Sequence, residues 1–271
     1  MEGLIAFIFG TLFGSFLNVV ILRIPNGESV VFGCSHCTSC LTPLKPWHNI
    51  PIISWAMLRG KCSFCKEKIS AQYPIIELLS GLLLFILVNK YGVNLAVFSI
   101  FLSFLMLIAL SMIDFKYKMV PDSLNLLAIF FAIFGAWNVE GVFINFQNAL
   151  LFAGGFTLLR FALSYMLTSS AHKQAQKTIT PWTKNYHTSP FIEAMGEGDI
   201  MVAATMGALL GVPLALVAIF LSAVLALPVM LSLRNRSAEE QRVPFVPFLA
   251  LATFIVYIFD SPILAYIKAN Y

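Results

Sequence analysis

Long apolar runs separated by shorter polar segments dominate the chain. A helix needs roughly 20 predominantly apolar residues to cross a hydrocarbon core about 30 Å thick. Stretches of this kind lie at 3–22, 73–89, 94–113, 122–139, 144–166, 199–212, 213–233 and 245–267. The pattern predicts an all-α polytopic membrane protein with about eight transmembrane helices. Two polar segments break it. Residues 24–72 form an insertion after the first helix, too short to bury a self-sufficient core and so in need of a metal or disulfide staple. Residues 169–195, rich in Thr, Ser, Lys and His with Pro181 and Pro190, show no periodicity and predict a mobile loop. There is no internal repeat and no low-complexity tract.

Composition agrees with the pattern. Of 271 residues, 59% are hydrophobic and 11% charged, where a soluble domain carries about 25% charged residues. The first run follows Glu2 rather than a basic n-region and has no small-residue cleavage site, which predicts a retained helix rather than a signal peptide.

Basic residues gather in the short cytosolic loops of membrane proteins. Here Arg23, Lys45, Arg59, Lys61, Lys66 and Lys68 lie in one segment; Lys116 and Lys118, then Lys173, Lys177 and Lys184, then Arg234, Arg236 and Arg242 fill alternate later ones. Lys90 and Lys268 fall on the other side, and Arg160 lies near the inner end of the fifth run, from where it can snorkel. The expected topology puts the insertion in the cytosol and both termini outside. The formal charge of +4 then reflects orientation in the lipid bilayer, and no nucleic-acid partner is expected.

The insertion holds all five cysteines. Cys37 and Cys40 form one C-x-x-C and Cys62 and Cys65 another, close to the spacing of four-thiolate zinc sites. Two short knuckles can each offer two thiolates to a tetrahedral zinc ion, and stable disulfides are disfavoured in a reducing cytosol. Cys34 also forms C-x-x-C with Cys37, so spacing alone permits a tetrad with Cys34 in place of Cys40, and His36 is a further possible ligand.

Ionisable residues are rare in membrane spans because they are costly there. Asp114 closes the third run, and Asp199 opens the sixth within Gly196-Glu197-Gly198-Asp199. The charge pattern puts both at the same cytosolic depth. Two carboxylates that close can share a proton, one serving as base and the other as acid in peptide hydrolysis. Plainer roles exist: Asp199 as a helix cap, and Asp114 as an interfacial charge beside Lys116 or Lys118. Asp122, after Pro121, reads as the N-cap of the fourth helix. No H-E-x-x-H is present, and Ser15 has no evident histidine base.

Taken in order, these motifs resemble the bifunctional type IV prepilin peptidases, which belong to the wider class of G-x-G-D intramembrane aspartyl proteases. Gly14-Ser15-Phe16-Leu17-Asn18 with Arg23 resembles the opening helix motif. Cys37, Cys40, Asn49-Ile50-Pro51, Leu58-Arg59-Gly60-Lys61-Cys62, Cys65 and Tyr73-Pro74 through Glu77 resemble the zinc-binding domain. Ile113-Asp114 with Val120-Pro121-Asp122, and Glu193 through Asp199, resemble the two aspartate motifs. Thr38, Cys34, Met201 and the length of loop 169–192 depart from the family pattern.

The resemblance implies Asp114 and Asp199 as catalytic residues and Cys37, Cys40, Cys62 and Cys65 as zinc ligands. It implies a bacterial inner-membrane enzyme that cleaves prepilins and pseudopilins after a short basic leader, and methylates the new amino terminus with S-adenosylmethionine. The expected domains are the first membrane helix at 1–24, a zinc-binding and methyltransferase part at 25–72, and the aspartyl peptidase at 73–271. Asn18, Arg23, Gly60 and Glu77 are its methyltransferase candidates, though Asn18 or Glu77 also suit interhelical polar contacts and Gly60 a turn. No glycine-rich nucleotide fingerprint is present. The rival reading is a non-catalytic assembly scaffold whose zinc lobe docks a partner.

Overall fold

Each apolar run becomes a helix because lipid offers no partner for backbone N–H and C=O groups, and a helix satisfies them internally. The computed structural model describes residues 1–135, 141–178, 195–233 and 243–270. The helices are α1 (Glu2–Arg23), α2 (Ile53–Met57), α3 (Gln72–Tyr91), α4 (Leu95–Tyr117), α5 (Asp122–Gly135), α6 (Val142–Thr178), α7 (Glu197–Leu233), α8 (Val246–Ile258) and α9 (Asp260–Asn270). Among the described residues there is no strand, only two isolated bridges, His36 with Pro43 and Lys61 with Lys68.

Local chemistry fixes several helix ends. Asn94 caps α4 by accepting the Val97 N–H at 2.8 Å, as short polar residues do at an N-cap. Pro121 precedes α5 and leaves its carbonyl to the Asn125 N–H, so Asp122 is the first residue inside α5 rather than its cap. Beyond α1, Pro25 and then Gly27 at φ 70° turn the chain into the insertion.

Among the described residues, five helices are long and apolar enough to cross a membrane: α1, α3, α4, α6 and α7. The pair α8 and α9, bent by 78°, makes a sixth if counted as one span. A count of eight does not follow. The fourth run yields a 14-residue helix, and the sixth and seventh runs lie end to end in α7 as two helical stretches joined at a kink where Gly211 takes φ 70° and ψ 175° two residues before Pro213, the position at which the apolar pattern divides them. The polar segment from 169 begins as helix, since α6 continues to Thr178. Ala, Lys and Gln between 171 and 177 are good helix formers. Residues 179–194 lie outside the described residues.

Two packing units meet along α4. In the first, α1 runs close against α3 because both are small at the crossing: a Cβ on Gly10 would lie 2.6 Å from the Ser80 carbonyl oxygen and 2.8 Å from the Gly81 Cα. In the second, α4 to α8 enclose a core that includes Leu107, Leu110, Ile113, Val202, Met206 and Leu249, each at most 1% exposed. Phe13 of α1 joins the two by edge contacts to Phe98 and Phe101 of α4. At the far end, Lys90 Nζ of α3 meets Asp260 Oδ1 at 2.7 Å and donates to the Ile258 carbonyl, while Tyr91 Oη donates to the Tyr257 carbonyl at 3.2 Å.

Candidate active site and metal centre

Asp114 sits in the last turn of α4, 7% exposed. Its Oδ2 accepts the backbone N–H of Val246 at 3.2 Å, a free donor at the start of α8 of the kind every helix N-terminus presents. Asp199 lies in the first turn of α7, where its carboxylate accepts the Gly196 N–H. That is the reach-back half of a capping box, so the plainer capping role is realised in part. The two carboxylates lie within range of each other's charge.

Two contacts hold the start of α7 in place. Gly198 is pressed on Val120, just beyond the end of α4: a Cβ there would fall 2.5 Å from Val120 Cβ. Arg160 of α6, which the sequence suggested would snorkel, bonds Glu197 with Nη1 to Oε1 at 3.0 Å. Val246 and Arg160 were missed as parts of this site. The first acts through its backbone, which carries no residue signal, and the second was given another role; Val120 belongs to the first aspartate motif, and only its packing on Gly198 was unforeseen. Glu193 and Ala194 of the second motif lie outside the described residues.

The cysteine knuckles share one backbone design. In the first, the Cys37 N–H donates to the Thr42 carbonyl and the Leu41 N–H to the Cys37 carbonyl; in the second, the Cys62 N–H donates to Glu67 and the Lys66 N–H to Cys62. Leu41 and Lys66, at equivalent positions, both adopt positive φ. The sulfurs of Cys37, Cys40, Cys62 and Cys65 all lie within 4.8 Å of one another, with Cys37 and Cys65 at 3.8 Å. Tetrahedral zinc with Zn–S bonds of about 2.3 Å spaces its ligand sulfurs by about 3.8 Å, so the set fits such an ion. Cys34 is exposed and outside the cluster, which resolves the choice of tetrad that spacing left open.

The thiols are held unequally. Hydrogen bonds from Thr42 push Cys40 down to about 6, whereas at Cys65 the lowering by the Glu67 amide is outweighed by burial and the neighbouring sulfurs, which leave it at about 11. Four sulfurs this close cannot all ionise without a cation to neutralise them.

The four methyltransferase candidates divide. Asn18, 1% exposed, donates to the Gly14 and Tyr73 carbonyls, each at 3.2 Å, tying α1 to α3. Glu77, 6% exposed, accepts the Ile52 N–H at 2.7 Å. Arg23 instead gathers the carbonyls of Ser29, Phe32, Gly33 and Cys34. Gly60, at φ 67°, turns the chain under the Trp55 ring.

Comparison with known proteins places these features. A model described as the bacterial peptidase A24 N-terminal domain matches residues 8–91, and the type IV leader peptidase family model matches residues 100–231. The prepilin leader peptidase/N-methyltransferase of Neisseria gonorrhoeae is 32% identical over 93% of this chain and 89% of its own length. The chain belongs to the type IV leader peptidase family. Relatives with the same printed name from Stutzerimonas stutzeri and Xanthomonas campestris pv. campestris are 32% and 30% identical over 97% and 93% of the chain. No solved structure matches it. The boundary between the two family models falls between α3 and α4, where the packing units also divide.

Proposed function

We propose that this membrane enzyme removes the leader peptide from prepilins and pseudopilins, with Asp114 and Asp199 as its acid–base pair, and then methylates the new amino terminus. The observation that carries the reading is the approach of a buried carboxylate at the end of α4 to one in the first turn of α7, in a chain similar along nearly its whole length to proteins named prepilin leader peptidase/N-methyltransferase.

In this reading one aspartate is ionised and takes a proton from water as the water oxygen bonds to the scissile carbonyl carbon. The other, protonated, donates to the carbonyl oxygen. As the tetrahedral species collapses, the C–N bond breaks and a proton passes to the departing amine. No covalent enzyme intermediate is needed. The Val246 and Gly196 amides each hold one carboxylate oriented, which is the positioning that proton transfer requires.

Residues 25–72 form the methyltransferase part, stapled by zinc on Cys37, Cys40, Cys62 and Cys65, and residues 73–271 the peptidase. The zinc ion is structural, because four protein thiolates leave it no open position. S-adenosylmethionine, when bound, supplies an electrophilic methyl group for the amine. The lobe and both aspartates face the cytosol of a bacterial inner membrane, with both termini on the opposite side, as the distribution of Lys and Arg supports.

Purified Asp114→Ala and Asp199→Ala variants, given one prepilin with and without S-adenosylmethionine, test the proposal by mass spectrometry of the product. Each variant is expected to leave the leader uncut. Cleavage at the wild-type rate by either one sinks the pair.

A further inference from the structure

The most strained backbone in the metal lobe is at Ile52, with φ 63° and ψ −50°. A β-branched residue at positive φ is an outlier. The Ile53 N–H closes the turn onto the Pro51 carbonyl, making a γ-turn of the rarer, positive-φ kind. Such strain persists only where the surroundings over-determine it.

Glu77 supplies those surroundings. Its Oε2 accepts the Ile52 N–H at 2.7 Å, and its carboxylate also accepts the Ser15 hydroxyl of α1. A Cβ on Gly14 would lie 2.7 Å from Glu77 Cα, so α1 closes directly over it. From the turn the chain passes into α2, where the Trp55 indole N–H donates to the Ile69 carbonyl at 3.2 Å. The Gly60 N–H donates to Trp55 and the Ile69 N–H to Gly60, which brings the path to the second knuckle. One carboxylate held between two membrane helices therefore grips the turn from which half of the metal lobe hangs.

We propose that Glu77 is a positioning residue that fixes the metal lobe against the α1–α3 pair, and so supports methyl transfer without touching the methyl donor. This rests on reading residues 25–72 as the methyltransferase part.

The test uses the full-length, zinc-loaded protein in detergent and the variants Glu77→Ala, Glu77→Gln and Ile52→Gly. Loss of a hydrogen bond to a charged group in Glu77→Ala is expected to speed deuterium exchange of the amides at 52–58 about tenfold or more, and to lower the kcat of methylation similarly. The KM for S-adenosylmethionine, the zinc content and leader cleavage are expected to stay at wild-type values. Glu77→Gln keeps an acceptor oxygen and falls between, which preserves the test if the alanine variant does not fold. Ile52→Gly keeps the donor and suits positive φ, so methylation survives in it. Unchanged exchange in both Glu77 variants overturns the clamp. A raised KM for S-adenosylmethionine with unchanged exchange makes Glu77 a donor contact and also overturns it. A wild-type protein that transfers no methyl group defeats the methyltransferase reading, while the exchange rates still decide the clamp.

Discussion

Replacing Gly198 by alanine adds a single carbon beside the candidate catalytic pair, and the structure fixes what that carbon meets. It would sit 2.5 Å from Val120 Cβ and 2.7 Å from each of its methyl groups, where carbon atoms normally rest about 3.5–4.0 Å apart. Val120 cannot swing clear, because all three of its side-chain carbons are too close and its rotamer is stiff. The start of α7 must therefore move by about 1 Å, carrying Asp199, the next residue, with it. Two opposing effects decide stability: alanine is favoured over glycine inside a helix by about 1 kcal/mol, and overpacking costs about 1–3 kcal/mol. The net loss is then at most about 2 kcal/mol, or a fall of less than about 8 °C in Tm. Activity is far more sensitive, since a 1 Å misplacement of a reacting group costs about a hundredfold in rate. The expected result is a kcat/KM for prepilin cleavage about a hundred times below wild type in a protein that still melts cooperatively. Val120→Gly removes all three clashing atoms, so the double variant is expected to recover at least about tenfold, and Val120→Ala, which leaves the nearest atom, much less. A wild-type rate in Gly198→Ala, or no recovery in the double variant, refutes this account of the contact.

Other substitutions test the remaining contacts. Gly10→Ala drives a Cβ into the backbone of α3 at Ser80 and Gly81 and is expected to lower Tm by several degrees, whereas Gly154→Ala, inside α6 with open space around it, is expected to raise Tm by about 2–4 °C in the same thermal scan. Metal retention, measured by zinc analysis after dialysis, is expected to fall steadily as pH drops, because Cys65 is held at about 11 and competes for protons throughout, and to fall more steeply below about 6, where protonation of Cys40 adds to it; protons compete with metal for thiolates, so affinity is lost towards acid. A competing chelator at neutral pH should make residues 30–70 protease-sensitive, and Cys62→Ser should do so without chelator. Lys90 and Asp260 are each about 30% exposed, so the ion pair itself contributes about 1 kcal/mol or less; Asp260→Asn is expected to shift Tm by no more than about 4 °C, while Lys90→Met, which also strips the donor from the Ile258 carbonyl, costs more.

Much of the candidate site was legible because its residues contradict their surroundings. Asp114 and Asp199 stand out as acids at the ends of apolar runs, and paired knuckle spacing pointed to a four-cysteine set that the three-dimensional cluster completed. What stayed hidden depends on contacts between distant segments. The Val246 N–H that holds Asp114 comes from 132 positions away and belongs to the backbone. The grip of Glu77 on Ile52 needs a strained turn that the Pro51-Ile52-Ile53 sequence does not advertise. Gly211 and Pro213, which divide the sixth and seventh apolar runs, also mark the kink between the two helical stretches of α7, whereas the fourth run was read as a full membrane span and yields a helix of 14 residues. The helical start of segment 169–195 was missed because polar residues were read as loop, although several of them are strong helix formers.

The metal lobe leaves the membrane at the end of α1 and returns at the start of α3, whose close crossing at Gly10 and Gly81 does not depend on anything between. An excursion that exits and re-enters on one side leaves the polarity of every later helix untouched. The lobe is thus a removable module in evolutionary terms: a deletion that trimmed 25–71 to a tight hairpin would discard it without inverting the peptidase, and an ancestor lacking it could have acquired it in one insertion. The same parity makes the α1–α3 connection a natural place to graft a foreign soluble domain beside the two aspartates.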